Sequence, residues 1–503
     1  MKLLIALIFF CSSVFGQFLN PDTLDVHIKE LMEKLDVPGL SIAIVNDDSL
    51  EYIKGYGKKN INKKDLVDEN TLFGIGSISK SFTALAIGLL VNDGKMDWDD
   101  RVIDYLPYFE LYDRYVTNNF TIRDLLTHRS GLKDISGGTL SFGSSLLSRP
   151  EIIKRLKYLK PASGFRYTPA YQNIMYIVAG EVVSKVSGMS WEEFIKTRIF
   201  KPLGMDNSVA CYEERQKSKN IALPHIQNEK FENILITQEI SDNAAPAGFI
   251  FSSANDMAKY IKFFLNDGIV GQDTLIKKEV IDEIFTPQIH YPIWKNHNEF
   301  TSYGFGWWLT PRNGHKVIEH SGGIDGMSSN LMMVSDLDYG VVIMGNPSYG
   351  LRFILCGEII GNKLDDNILL ESSHNYLDYR LNKRKDLMLE ARKMVLDSRI
   401  KNTKPSLKKK EYATTFTDEM YGDVYVTYDN KKLLIEFEHT PLFTGELTHW
   451  HYDTFKIDWV DPRVTDGYCT FILDSKGKIS ELKLDQPNLL DVDFTELTLL
   501  VKN

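Results

Sequence analysis

The sequence predicts a mixed α/β protein: one antiparallel sheet flanked by helices and interrupted by a helical subdomain, then a separate all-β, barrel-like domain. Three observations predict it. A strand hairpin lies near the N-terminus, a second cluster of strands arrives only after residue 300, and a long, mostly helical stretch separates the two. From Met420 onward the chain reads as strand after strand, with turns at Asp429-Asn430, Pro441, Asp461-Pro462 and Asp474 to Gly477. Strands at both ends of a helical insertion close naturally into one sheet, and a run of short strands suits a barrel or sandwich.

Taken in order, Lys2 precedes the apolar run Leu3–Phe10, and small residues at Val14 and Gly16 follow. This is the pattern of a secretory signal peptide over residues 1–16, cut before Gln17. A secreted or periplasmic location is expected, and no later segment is apolar enough to span a membrane. Asp25–Leu35 carries an amphipathic helix pattern. Leu40–Tyr56 reads as a hairpin, with Ser41-Ile42-Ala43-Ile44-Val45 turning at Asn46-Asp47-Asp48.

Phe73-Gly74-Ile75-Gly76-Ser77-Ile78-Ser79-Lys80 then runs into a helix with apolar residues at Phe82, Leu85, Ala86, Leu89 and Leu90, stopped by Asn92-Asp93-Gly94. Residues three apart share a helix face, so the Ser77 hydroxyl and the Lys80 amine can meet across one turn. A serine hydroxyl needs a neighbour to take its proton, and a lysine can do so once burial and the positive end of a helix have lowered its pKa. The Ser77 amide, at the helix start, can help hold an oxyanion. Taken alone, a serine three before a lysine is more often an N-cap than a nucleophile.

Mostly helical pattern continues to about residue 210. Thr121–Leu126 ends at Thr127-His128-Arg129-Ser130-Gly131, where His128 suits a tie between helix end and loop. Ile174–Val186 and Ser190–Ile199 follow, the second closed by Pro202-Leu203-Gly204. The late strands are Tyr303–Leu309, Lys316–His320, Ser328–Val334 and Tyr339–Gly345. The chain therefore divides into a signal peptide (1–16), a main domain (17–360), a charged helical linker (361–410) and a β-domain (411–503).

Composition narrows the function. The 43% hydrophobic and 25% charged residues are those of a globular protein, and a net charge of −10 speaks against a nucleic-acid partner. Beyond Cys11 in the leader, Cys211, Cys356 and Cys469 are too few and too scattered for a disulfide framework. No Cys or His cluster has zinc spacing, so neither a metal nor a cofactor is expected. His449 and His451, flanking Trp450, read as structural.

Two further stretches fit a serine acyl-enzyme. Tyr171-Gln172-Asn173 opens a helix; a tyrosine can shuttle a proton, and an asparagine can hold a substrate amide by both its groups. Tyr167 is a nearby rival for the tyrosine. Glu319-His320-Ser321-Gly322-Gly323 ends a strand in glycines that let a substrate backbone lie close, with the Gly323 amide as a second oxyanion donor.

The order of these motifs, together with Leu126 to Leu132, Ala179-Gly180, Ala247-Gly248-Phe249, Ser253 and Asp256-Met257-Ala258, resembles the serine β-lactamase-like hydrolases. These are the class C β-lactamases, D-alanyl-D-alanine carboxypeptidases and related esterases and D-amino-acid peptidases. The resemblance spans roughly Pro21 to Gly350, and the tail around Leu447 to Phe455 looks like the lipocalin-like domain many members carry. It implies the β-lactamase/DD-peptidase fold, with Ser77 acylated and Lys80 its base. Tyr171 relays protons, Asn173 binds the acyl-side amide, and Ser321, Gly322 and Gly323 line the substrate. His320 stands where β-lactamases carry a lysine, and an imidazole is mostly neutral at pH 7. Amide or ester hydrolysis of a small-molecule or peptide substrate is therefore expected before β-lactam or DD-carboxypeptidase chemistry. A catalytically silent ligand-binding member and a hydrophobe carrier built on the β-domain are the rivals.

Overall fold

The computed structural model describes residues 20–237, 242–292, 300–346, 350–487 and 491–502. The expected signal peptide lies outside them. The described chain forms two compact units: residues up to 92 with 192–237 and 248–389, and residues 93–191 with the described part of 238–247 and 390–502.

The first unit is built on an eight-stranded antiparallel sheet. Its strands are β1 (Gly39–Asn46), β2 (Ser49–Gly57), β3 (Ile289–Tyr291), β4 (Thr301–Tyr303), β5 (Trp308–Arg312), β6 (His315–Ile324), β7 (Met327–Val334) and β8 (Tyr339–Asn346). They lie in the order β2-β1-β8-β7-β6-β5-β4-β3. The expected hairpin forms, and its turn residues Asp47 and Asp48 sit at φ 49° and 55°. β1 pairs with β8 from Gly39↔Asn346 to Asn46↔Tyr339, so the first and last strands share the sheet as the sequence indicates.

Alternation divides the sheet between two helical layers. Leu40, Ile42, Ile44, Met332, Val341 and Ile343 join the helices Pro21–Lys34 and Leu351–Leu364 in one core cluster. On the other face, a Cβ at Gly340 would sit 2.5 Å from Ile261 of helix Ala254–Leu265, so glycine there lets helix and sheet approach closely.

Two expectations change. The run Tyr303–Leu309 is not one strand: β4 ends at Tyr303, and Gly304 to Trp307 turn back to β5, with Gly306 at φ +76° and the Gly304 amide donating to the Trp307 carbonyl at 2.9 Å. The run's apolarity comes from burial of the turn itself. Helix Ser79–Asn92 is also not one-sided; every residue from Ser79 to Leu90 is buried. Phe82 stacks on Tyr260 at 3.9 Å, while Gly88 leaves room for Ile276 and Ile284. A helix buried all round is a central helix, not a surface one.

The second unit holds the helices Ile122–Leu126 and Asn173–Ser187 and the C-terminal barrel. Thr121 and Asp124 form a capping box. The barrel strands are β9 (Thr414–Asp418), β10 (Gly422–Asp429), β11 (Lys432–Phe437), β12 (Thr444–His451), β13 (Thr454–Trp459), β14 (Gly467–Leu473), β15 (Ile479–Asp485) and β16 (Leu499–Val501). They close as β16 pairs with β9 at Phe416↔Val501. Aromatic rings occupy the interior: Tyr412 lies 4.9 and 4.8 Å from Phe455 and Phe471, and Phe443 lies 4.9 Å from Phe494. An eight-stranded barrel is just wide enough to be filled by side chains, and this one is packed with them. A register shift between His449 and His451 bulges β12; His449 Nε2 bonds the Tyr452 carbonyl at 2.9 Å, and His451 Nδ1 accepts the Ile400 amide at 3.3 Å.

Candidate active site

Ser77 lies in a single 3₁₀ turn, Gly76–Ile78, that feeds helix Ser79–Asn92. The turn is tied by three hydrogen bonds to two neighbouring segments. The Ile75 amide donates to the Ile250 carbonyl at 3.0 Å, the Ile75 carbonyl accepts the Ser329 hydroxyl at 2.6 Å, and the Ser79 hydroxyl accepts the Ile250 amide at 3.1 Å. Gly76 has φ +54°, and a Cβ there would strike the Gly322–Gly323 backbone of β6; a Cβ on Gly322 would run into the Ile75 carbonyl. Glycine at these two positions is what allows strand and turn to touch.

The structure brings Ser77 and Lys80 together as the spacing predicts. Lys80 Nζ lies 3.1 Å from Ser77 Oγ; the lysine is fully buried and the serine half-buried. From the other side, the turn between β4 and β5 packs against the lysine's backbone, a Cβ on Gly306 falling 2.9 Å from the Lys80 carbonyl.

His320, on β6, is buried at 1% exposure. Its Nδ1 donates to the Ser321 carbonyl at 2.6 Å, which makes Nε2 the acceptor of the Tyr303 hydroxyl at 3.0 Å. Burial first, and the neighbouring Lys80 charge second, push its pKa down to about 3, so the ring is neutral at pH 7. β6 continues through Ser321, Gly322 and Gly323 beyond its last pairing with β5, Trp308↔Glu319. Ser321 and Gly323 are half-buried there, while Gly322 is buried against the Ser77 turn.

Tyr171 and Asn173 belong to the second unit. Asn173 is the first residue of helix Asn173–Ser187 and is buried. The Tyr171 amide donates to Asp134 Oδ1 at 2.6 Å, and its carbonyl accepts the Ile135 amide at 2.8 Å. Burial raises the Asp134 pKa against that hydrogen bond. The His128 ring lies 4.4 Å from the Tyr171 ring; its Nδ1 accepts the Gln172 amide at 3.0 Å and its carbonyl the Ala170 amide at 2.8 Å. His128 thus ties helix end to loop, as the sequence suggests. Tyr167, the rival tyrosine, is 84% exposed.

Other motif residues prove structural: Ser253 caps helix Ala254–Leu265, and buried Asp256 accepts the Asn207 and Ser208 amides at 2.9 Å each. Sequence reasoning missed Tyr303, Ser329, Asp134 and Gly306. Gly306 carried a local signal, an unexplained glycine in an apolar run; the others act through partners far along the chain. Among the described residues no group of three His, Cys, Asp or Glu could hold a metal ion. None of their helices is long and apolar enough to cross a membrane.

The beta-lactamase family model matches residues 24–354, well over half of the chain. The chain belongs to the beta-lactamase family. Residues 398–499 match a second model, described as a domain of unknown function (DUF3471). Among family relatives, penicillin-binding protein 4* of Bacillus subtilis is 30% identical over 337 residues, 63% of this chain and 69% of that protein. The unguisins hydrolase ungD' of Aspergillus campestris is 28% identical over 375 residues, 70% and 66% respectively. The chain thus spans about two thirds of the length of these curated relatives. The octameric penicillin-binding protein homologue of Pyrococcus abyssi matches 96% of this chain and 99% of its own, with a TM-score of 0.61 and 25% identity. Relatives of this beta-lactamase family chain therefore include named hydrolases and penicillin-binding proteins.

Proposed function

We propose that this beta-lactamase family protein is a secreted serine hydrolase that cleaves amide or ester bonds through an acyl-enzyme. The observation that carries the reading is the 3.1 Å approach of the buried Lys80 amine to the half-buried Ser77 hydroxyl. Ser77 Oγ forms a bond to the substrate's acyl carbon as its proton passes to Lys80, which takes it in its uncharged form. The bond to the leaving nitrogen or oxygen then breaks, and the departing atom takes a proton through Tyr171. Water, deprotonated through the same groups, releases the acid and restores the serine. The roles of Tyr171 and Asn173 rest on the motif resemblance, as does the use of the Ser77 and Gly323 amides as oxyanion donors.

The neutral His320 favours substrates without a free carboxylate, because it offers no positive charge to hold one. The Bacillus relative's name favours a second reading, penicillin binding. Secretion rests on the leader alone. Treating wild type and Ser77→Ala with a fluorophosphonate and a fluorescent penicillin tests both readings. Label on the wild type only, with turnover of p-nitrophenyl esters or D-amino-acid amides, is the expected result. An unlabelled, inactive wild type would leave a binding protein.

A further inference from the structure

The barrel grips the segment that holds the backbone of Tyr171. Within the second unit, the Glu496 carboxylate accepts the Ser136 hydroxyl and, at 2.9 Å, the Gly137 amide. Asp493 pairs with Lys133, and a Cβ on Gly138 would overlap the Asp491 carbonyl. Between those anchors, Asp134 and Ile135 hold the amide and carbonyl of Tyr171, and the Lys133 carbonyl accepts the Gln172 side-chain amide.

Ile135 sits at φ +55°. A β-branched residue disfavours that region, and such a conformation persists only where its surroundings over-determine it. Its neighbours on both sides are fastened to the barrel by charged hydrogen bonds, the stronger kind.

We propose that the C-terminal barrel is a positioning device for the proton-relaying tyrosine, with Glu496 and Asp493 as the positioning residues. The inference rests on the relay role proposed for Tyr171. It explains why the barrel meets residues 133–138, and it assigns a task to a domain described only as of unknown function.

The test uses full-length wild type, Glu496→Ala and Glu496→Gln, with a p-nitrophenyl ester and an amide of the same acyl group in single turnovers. Nitrophenolate leaves without a proton, whereas an amine needs one. Displacing Tyr171 is expected to slow acylation by the amide roughly 10–100-fold while the ester changes much less. Glu496→Gln, which keeps an acceptor for Gly137 and a donor for Ser136, is expected to restore most of the amide rate. Hydrogen exchange at peptides covering 133–138 and 170–173 should accelerate in Glu496→Ala only. Equal losses on both substrates, or unchanged exchange and rates, overturn the proposal. Ser136→Ala carries the same comparison if Glu496→Ala does not fold. A wild type that neither labels at Ser77 nor turns over either substrate sinks the function instead, while exchange still reads the clamp.

Discussion

At the scale of single residues, Lys80 and His320 decide what the site can do. Lys80→Met keeps the buried volume and removes the base; turnover is expected to fall roughly 10²–10⁴-fold, with no loss of melting temperature. Steady-state rates and a thermal melt check it. His320 makes a prediction about pH. Its folded pKa, near 3, lies below the unfolded value of about 6.5, so the unfolded chain binds the extra proton first and stability drains as pH falls through that window. Between pH 7 and 5 the wild type should lose about 2 kcal/mol more than His320→Gln, from about 1.4 kcal/mol per pH unit. Denaturant melts of both proteins at the two pH values measure the difference; parallel curves would mean the ring takes up its proton as readily in the folded protein as in the unfolded chain.

The elements matter through how closely they approach. Strand β6 and the Ser77 turn touch backbone to backbone because Gly76 and Gly322 face one another. Gly322→Ala would force its methyl onto the Ile75 carbonyl and to within 2.7 Å of Ser329 Oγ. The expected cost is roughly 2 kcal/mol or more, with loss of fluorophosphonate labelling as the turn shifts. A folded variant that labels at the wild-type rate would show the turn to be more yielding than its three ties suggest. The same closeness explains the misread strand. Phe305 and Trp307 are buried in a turn that packs on the Lys80 backbone, and apolar content alone does not separate a buried turn from a strand.

For the whole molecule, the second unit is the less expected arrangement, since it joins residues 93–191 to a barrel that begins more than two hundred residues later. Arg155 donates to the Met420 and Tyr421 carbonyls at 2.6 and 2.8 Å, and the Leu146 amide to the His439 carbonyl at 2.8 Å. A chain ended after Asp397 would leave these groups without their partners and would remove Thr440 and Leu442 from beside Gly143. It is expected to melt at least several degrees lower or to accumulate insoluble. Full solubility and an unchanged melt would make the barrel an independent appendage.

By itself, the sequence determined the local and periodic features: the hairpin, the serine–lysine turn, the late strands, the run of C-terminal strands and the family. Each is written in residues a few positions apart, where turn chemistry and alternation act directly. Only the tertiary structure decided that helix Ser79–Asn92 is central, that the Tyr303 hydroxyl meets His320 Nε2, and that Asp493 and Glu496 fasten the segment that holds the Tyr171 backbone. Those contacts join residues far apart along the chain, and their strength comes from burial, which no spacing of residues can specify.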